Sequence, residues 1–508
     1  MSKITNNNKQ TKNVICLLAG AFVYTFVGWH WNISLAAWIS IPLIMCYFRS
    51  QDRFLNQLLI VPVLSVPGFL KMVNGWDMEL YLAITIAILA VVILVFIPLI
   101  VDKILERRFS MIISSFIFPS MVVLTEFLLT LTPLGTGMSL GATQFDHQAI
   151  LQVTSLTGIW GLSFLISWTA SIINKLWEQI NEKNSSKLLL AHSPLKVRKK
   201  LIKVYSVVVV VILTFGTFRL ALFEPRSETV RIASISVPHK QNYWGEIVDQ
   251  KTPTETSTSF KTEFVQIEEQ LFNLSQKAVD AGAKIVFWSE GNDVFYEDQE
   301  DSFLNRCKQF AATNQIYFIP AVLKLYYGSY VSDNMAYMIT PEGEIAFDYI
   351  KTISWYETTS DGIIDYIDTI YGRISITICF DNDFPNFIRQ AGKNNVDILL
   401  VPAFDTEVIK DYHTKSSMIR GVENGMSVIR QSNTGVSMGI DYYGNILSYQ
   451  DFFKTNECLM FTDLPTNGIK TGYSFLGDWL VYISLLFISG LIAWSIFSTI
   501  TFNRKLRE

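Results

Sequence analysis

The feature that most constrains this 508-residue chain is a set of apolar runs long enough to cross a lipid bilayer. A spanning helix needs about 17 to 25 consecutive and mostly apolar residues. Only 17% of the residues are charged, against about 25% in an ordinary soluble protein, which argues against a fully soluble enzyme. The sequence predicts about eight transmembrane helices, at residues 14–28, 32–48, 55–70, 79–101, 109–131, 158–173, 203–222 and 476–500.

The basic residues between these runs predict how the chain crosses the membrane. Short cytoplasmic loops retain Lys and Arg. With the N-terminus inside, the cytoplasmic segments hold 19 basic residues, whereas the opposite short loops hold only Lys71. This asymmetry predicts a seven-helix membrane domain in residues 1–222, an extracytoplasmic domain in residues 223–474, and a last spanning helix with a cytoplasmic tail in residues 475–508.

Two ionisable residues, Glu126 and Arg219, fall within or at the edge of predicted spans. A charged side chain at that depth is costly unless it is paired or faces a cavity. We therefore expect both side chains to have polar partners.

Residues 223–474 have a different composition from the rest of the chain. They carry 34 acidic and 20 basic side chains, so nucleic acid is not expected as a partner. Apolar strand-like runs alternate with segments of helical spacing, which predicts an α/β sandwich with one large core. The strand-like runs lie at residues 230–237, 283–289, 317–323, 373–380 and 397–404.

Three reactive side chains lie at the ends of predicted strand segments: Glu290 follows the run 283–289, Lys351 ends the hairpin arm EIAFDYIK at 344–351, and Cys379 ends RISITIC at 373–379. Because α/β folds commonly build their sites at strand ends, we expect the three to lie close together. A thiol becomes a good nucleophile when a base removes its proton, and Glu290 is the predicted base. Lys351 and the backbone N–H of Phe380 would stabilise the oxyanion formed when the thiolate attacks a carbonyl. The trio predicts acyl transfer in two steps.

The remaining cysteine and histidine residues have no metal-binding pattern. Neither a CxxC pair nor an HxxxH pair is present, so no zinc site and no disulfide framework are predicted. Cys307 and Cys458 are expected to be structural. We predict no metal and no other cofactor.

The order Glu, Lys, Cys at strand ends resembles the nitrilase, or carbon-nitrogen hydrolase, superfamily. Eight spans with such a domain before the last one resemble the apolipoprotein N-acyltransferase family. The segment SLGATQFDHQAILQVTSLTGIWGLSFLI, residues 139–166, is similar to that family's extracytoplasmic loop and following helix. The segment HTKSSMIRGVENGMSVIRQSNTGVSMGIDYYGNI, residues 413–446, is similar to its Arg-x-x-Glu helix, Arg-x-x-Asn strand and closing hairpin. The resemblance implies a nitrilase-like αββα sandwich.

The resemblance also implies roles for single residues. Glu290 matches the family's general base, Lys351 its oxyanion lysine and Cys379 its nucleophile. Supporting carboxylates are expected at Glu357 and at Asp381, where the family usually has Glu. The positions that shape and brace the family's pocket match Arg420, Glu423, Arg430 and Asn433.

The implied activity is transfer of a fatty acyl chain from a phospholipid, through a cysteine thioester, to the N-terminal cysteine amine of a diacylglyceryl lipoprotein. The implied location is the bacterial inner (cytoplasmic) membrane, so membrane lipid is a further partner. The catalytic residues alone do not distinguish an amine from water as the acyl acceptor. Two alternatives therefore stay open: a membrane-anchored nitrilase-type amidase, and an inactive membrane scaffold. Eight spans favour transfer, because a hydrolase of small amides would not need them.

Overall fold

The computed structural model divides the chain into two compact units, Met1–Ala221 with Asp478–Glu508, and Leu222–Gly477. We call them the helical unit and the sandwich unit. The structure describes residues 2–73, 79–183, 195–222, 225, 227–238, 258–327, 329, 331–354, 360–455 and 458–505.

The helical unit consists of α-helices with short 3-10 and π-helical segments between them. The 3-10 segments are Trp29–Trp31 and Gly141–Thr143, and a π-helical segment is Val92–Phe96. The α-helices are α1 (Ser2–Tyr24), α2 (Ser34–Ser50), α3 (Phe54–Leu58), α4 (Ile60–Val73), α5 (Leu80–Val91), α6 (Ile97–Glu106), α7 (Met111–Ser114), α8 (Ile117–Leu129), α9 (Gln148–Leu151), α10 (Thr154–Thr157), α11 (Trp160–Lys183), α12 (Leu195–Leu222) and, after the sandwich unit, α18 (Trp479–Lys505).

Several of these helices are apolar enough to span a membrane, as predicted. Within the described residues, five segments are both long and apolar enough to cross a bilayer. A sixth is possible if the pair Gln148–Thr157 and Trp160–Trp177, bent by 115°, forms one broken span. The five segments are Phe54–Val73, Leu80–Glu106, Met111–Leu129, Lys196–Leu222 and Trp479–Phe502.

The predicted count of eight spans is not confirmed, and the reasons are the polarity, the length and the bending of three helical segments. The first predicted span belongs to α1, whose first half is polar. Helix α2 has 17 residues, or about 26 Å at 1.5 Å per residue, which is only the lower limit of the length that a span needs. The bend in the sixth lies beside Gly158, whose φ of 65° an α-helix does not adopt.

Glu126 and Arg219, two ionisable residues of the predicted spans, both have polar partners. Glu126 accepts hydrogen bonds from the hydroxyls of Ser139 and Ser163 at 2.6 and 2.5 Å, and from the backbone N–H of Leu140 at 2.8 Å. Arg219 donates a hydrogen bond to the hydroxyl of Ser155. Serine hydroxyls and a backbone amide therefore satisfy the carboxylate of Glu126.

The sandwich unit contains two β-sheets. The strands are β1 (Thr229–Ile235), β2 (Ile285–Trp288), β3 (Asp293–Tyr296), β4 (Tyr317–Ile319), β5 (Ala321–Leu325), β6 (Ser332–Ile339), β7 (Ile345–Ile350), β8 (Tyr366–Thr369), β9 (Gly372–Ile376), β10 (Ile398–Phe404), β11 (Ser427–Asn433), β12 (Val436–Ile440), β13 (Ile446–Asp451) and β14 (Leu459–Pro465). The first sheet has the strand order β14-β1-β2-β4-β6-β5-β3, with β7 paired to β6, and the second has the order β13-β12-β11-β10-β9-β8. The helices are α13 (Thr258–Asp280), α14 (Glu300–Asn314), α15 (Pro385–Lys393), α16 (Lys410–Asn424) and α17 (Gly472–Leu476).

The alternation of side chains along the strands produces the layers. In β2, Val286 and Trp288 pack against helices α13 and α14, whereas Ile285 and Phe287 pack toward the second sheet. Successive side chains of a strand point to opposite faces, so a strand buried on both faces is apolar throughout. Helix α16 contacts β11 and β12 of the second sheet. The unit is therefore an α/β sandwich, as predicted.

The predicted strand at 317–323 is two strands in the structure. Pro320 separates β4 from β5, and β4 pairs with β2 whereas β5 pairs with β3. Proline lacks a backbone N–H and interrupts a hydrogen-bonded ladder, which explains the break.

Candidate active site

Glu290 lies just beyond strand β2, and its carboxylate is buried. Its Oε1 accepts hydrogen bonds of 2.7 Å from the side-chain amide of Asn334 and of 2.7 Å from Nζ of Lys351. Its Oε2 is also buried and accepts no hydrogen bond from the residues that the structure describes. One carboxylate oxygen is therefore held in place, and the other is open to accept a proton.

Lys351 directly follows strand β7, and its side chain is 14% exposed. Its backbone N–H donates to the carbonyl oxygen of Asn334 at 2.9 Å, and its ammonium group is paired with Glu290. Asn334 thus contacts both Glu290 and Lys351 and fixes the two side chains relative to each other. An ammonium group held in this way can stabilise an oxyanion.

Cys379 begins a short 3-10 helix, Cys379–Asp383, beyond strand β9. Its φ of 46° lies in the left-handed region, and its thiol donates a 3.4 Å hydrogen bond to the carbonyl oxygen of Phe404. Burial, and then the negative charge of Glu290, raise the pKa of the thiol well above its usual value, while the charge of Lys351 acts in the opposite direction. The structure thus brings the three predicted residues into one site, in which a protonated thiol needs a base.

Phe380 follows Cys379, and its ring contacts those of Phe384 and His413 at centroid distances of 5.3 and 5.9 Å. Its backbone N–H donates no hydrogen bond to any other described residue. An oxyanion-hole donor must be unoccupied before the reaction, so this N–H meets that requirement.

Asp381 lies in the short 3-10 helix that begins at Cys379, and it links this helix to the segment after Lys351. Its carboxylate accepts hydrogen bonds from the Tyr349 hydroxyl at 2.6 Å and from the backbone N–H groups of Ile353 at 2.8 Å and Thr352 at 3.3 Å. Burial raises the pKa of Asp381 to about 6, although the hydrogen bond from Tyr349 opposes this shift. The carboxylate of Asp381 therefore links the turn that begins at Cys379 to Tyr349 and to the backbone after Lys351. Glu357, the second carboxylate that the resemblance implies, lies outside the described residues.

The four residues expected to brace the pocket have different surroundings. Arg430 contacts Cys379 directly, because its Nη2 lies 3.6 Å from Sγ of Cys379. Arg420 and Glu423 form a fully buried ion pair of 3.1 Å within α16. Asn433 donates a 3.2 Å hydrogen bond to the carbonyl oxygen of Val237, which joins the ends of β11 and β1.

Cys379, Asp405 and His413 place one sulfur, one oxygen and one nitrogen atom within 4.8 Å of one another, a spacing that could hold a metal ion. The guanidinium of Arg430, however, contacts both the sulfur and Asp405, the latter at 2.8 Å. A positive charge of the protein itself therefore already lies among these groups.

Three residues of this site, Asn334, Asp405 and His413, were not predicted from the sequence. Asp405 directly follows the strand-like run 397–404, so the strand-end rule that selected Glu290 would also have selected it. Asn334 lies inside strand β6, and its role depends on pairing between strands. His413 begins the segment of family resemblance, but no local pattern singles it out.

Comparisons with known proteins match both units of the chain. The family model of the apolipoprotein N-acyltransferase N-terminal domain matches residues 16–172, and the carbon-nitrogen hydrolase model matches residues 256–470. Among solved structures, an amidase from Nesterenkonia sp. is 16% identical, with 48% of this chain and 92% of the amidase covered and a TM-score of 0.37.

Curated relatives carry the name of the same family. An apolipoprotein N-acyltransferase from Geobacter metallireducens is 26% identical over 412 residues, which cover 73% of this chain and 72% of the relative. One from Rickettsia prowazekii is 25% identical over 382 residues, covering 67% and 68%. With both family models matched in one chain, the predicted family is confirmed: the chain belongs to the apolipoprotein N-acyltransferase family of the nitrilase superfamily.

Proposed function

We propose that this chain is a membrane N-acyltransferase that moves a fatty acyl chain from a phospholipid, through a thioester on Cys379, to the N-terminal cysteine amine of a diacylglyceryl lipoprotein. The observation that carries this proposal is the joint match of residues 16–172 and 256–470 to the two family models. The curated relatives are named for this activity.

In the first half-reaction, Glu290 takes the proton of the Cys379 thiol, and the sulfur attacks the ester carbonyl of the phospholipid. The open Oε2 of Glu290 supports this role. Lys351 and the N–H of Phe380 stabilise the oxyanion. The carbon–oxygen bond then breaks, Glu290 returns its proton to the leaving alkoxide, and a lysophospholipid departs from the thioester.

In the second half-reaction, the amine of the lipoprotein attacks the thioester carbonyl. Glu290 accepts a proton from the attacking nitrogen, and the carbon–sulfur bond breaks as the amide forms. The proton then passes to the released sulfur, which regenerates the thiol. One base and one oxyanion site serve both halves, as in other two-step acyl transfers.

We further propose that the chain is a multi-pass protein of the bacterial inner membrane, with residues 1–222 as membrane domain, 223–474 as extracytoplasmic catalytic domain and 475–508 as last helix and cytoplasmic tail. The 19 basic residues on one side against Lys71 on the other support this topology. Reporter fusions after Phe223 and after Arg504 should report opposite sides of the membrane. The same side for both would contradict it.

The function is tested by searching for the acyl-enzyme. Protein purified with phospholipid should carry an acyl-sized mass addition that neutral hydroxylamine removes, because hydroxylamine cleaves thioesters. The addition should be absent from Cys379→Ala and present in Cys458→Ala, a matched change at a partly buried cysteine of the same unit. Adding a diacylated lipopeptide should discharge the enzyme and yield a triacylated peptide.

The other outcomes identify the two alternatives. An addition that is lost at the same rate with and without the lipopeptide would indicate a hydrolase, since water would then be the acceptor. No addition in any preparation supplied with phospholipid would indicate a scaffold without acyl-transfer activity.

A further inference from the structure

The guanidinium of Arg430 touches the nucleophile at two points. Its Nη2 lies 3.6 Å from Sγ of Cys379, and its Nη1 donates to the carbonyl oxygen of the same residue at 3.3 Å. The Arg430 side chain is 1% exposed, so water screens this charge little. A permanent positive charge on a planar group is therefore held against both the sulfur and the carbonyl oxygen of Cys379.

Asp405 holds Arg430 in this position. Its Oδ1 lies 2.8 Å and its Oδ2 3.1 Å from Nη2 of Arg430. Burial alone would raise the pKa of the Asp405 carboxyl, but the charge of Arg430 and the hydrogen bond from His413 hold it below its usual value. The pair therefore consists of a carboxylate and a guanidinium, both charged.

Two further groups share the negative charge of Asp405. The hydroxyl of Ser432 donates to Oδ2 at 2.7 Å, and Nδ1 of His413 lies 2.9 Å from Oδ1. Because a carboxylate can only accept hydrogen bonds, Nδ1 is the donor. A carboxylate with several donors neutralises each of them less completely, which leaves more of the Arg430 charge to act on the sulfur.

Lys351, the other cation of the site, is placed differently. Its ammonium group lies 2.7 Å from Glu290, the proposed base. Of the two cations, Arg430 lowers the pKa of the Cys379 thiol more strongly. The two charges thus serve different atoms, Lys351 near the base and Arg430 at the sulfur.

We propose that Arg430 is a catalytic residue, the counter-ion of the Cys379 thiolate, and that Asp405 is its positioning residue. This inference rests on the proposed function. A thiolate exists twice in each cycle: when Glu290 has taken the thiol proton, and when the carbon–sulfur bond of the tetrahedral intermediate breaks and the sulfur leaves with the electron pair. Arg430 stabilises the negative sulfur at both points without accepting or donating a proton.

The test measures the thiolate without the acyl-transfer reaction. Full-length protein is treated with iodoacetamide near pH 8, and alkylation of the Cys379 peptide is followed by mass spectrometry. A neighbouring opposite charge shifts a pKa by about one to three units, and lower thiol basicity offsets about half of the rate gain. Arg430→Gln should therefore be alkylated about three- to fifty-fold more slowly than the parent.

The sign of the effect separates charge from packing. Asp405→Asn removes the charge that partly neutralises Arg430 but keeps an oxygen that can accept from the guanidinium, so Arg430 should stay in place and Cys379 should be alkylated faster than in the parent. Arg430→Lys keeps a cation for Asp405 and so protects the fold, but loses the planar contact with sulfur, and it should fall between the parent and Arg430→Gln. Parent rates in both Arg430 variants, or changes of the same sign in Arg430→Gln and Asp405→Asn, would overturn the inference.

A matched control comes from a second buried ion pair of the same unit, between Lys410 of α16 and Asp451 of β13. Nζ of Lys410 lies 2.9 Å from both carboxylate oxygens of Asp451. Lys410→Gln disturbs an ion pair in the same unit and should leave the alkylation rate unchanged; an equal slowing there would mean that loosened packing is being measured. If the alkylation rates shift as expected but no acyl-enzyme forms, the counter-ion assignment stands and the proposed acyl transfer fails.

Discussion

Glu290→Gln should lower the rate of acyl-enzyme formation by about two to four orders of magnitude, the usual contribution of a general base. The amide keeps the size of the side chain and an oxygen that can accept from Asn334 and Lys351, but it cannot take the thiol proton. The measurement is a single-turnover assay of the hydroxylamine-sensitive mass addition with phospholipid in excess.

Glu300→Gln is the control for that prediction. Glu300 is a carboxylate of the same unit, and it is paired with Lys324 at 3.2 Å and accepts a hydrogen bond from Tyr337 at 2.7 Å. Its variant should acylate at the parent rate. A Glu290→Gln protein that also acylates at the parent rate would show that the base has been misassigned.

Lys351→Ala should lower acyl-enzyme formation by about a hundred- to a thousand-fold, the loss usually seen when one oxyanion-hole donor is removed. The ammonium group is needed as negative charge develops on the carbonyl oxygen, so the loss should appear in kcat more than in KM. Initial rates of peptide triacylation at several phospholipid concentrations separate the two parameters.

Lys324→Ala provides a close match for Lys351→Ala. The two lysine side chains are 13% and 14% exposed, and each pairs with a glutamate. Lys324→Ala should therefore reproduce any general effect of deleting a paired lysine from this unit. An equal loss of kcat in both variants would contradict an oxyanion role for Lys351.

The sequence predicted those parts of the site that depend on local pattern. Glu290, Lys351 and Cys379 could be selected because each follows a strand, and the end of a strand can be recognised from where the apolar pattern stops. The contact of Arg430 with Cys379 could not, because it depends on how β11 lies beside the turn that follows β9. The partnership of Asp405 with His413 likewise depends on how α16 packs against the sheet.

The number of spans illustrates a different limit. Hydropathy identifies where a chain is apolar, but it does not reveal where a helix bends or how much of it is long enough to cross a bilayer. The 115° bend between Gln148–Thr157 and Trp160–Trp177 depends on backbone geometry at Gly158, which an average over many residues conceals.

The left-handed backbone of Cys379 has a consequence for selection on this chain. Side chains other than glycine hold such a conformation at a cost of about 1 to 3 kcal/mol, a sizeable share of the 5 to 15 kcal/mol that keeps a typical domain folded. A lineage selected only for a stable fold would gain by placing glycine there, and it would lose the thiol that we propose as the nucleophile in the same step. At this position, stability and the proposed chemistry thus favour different residues.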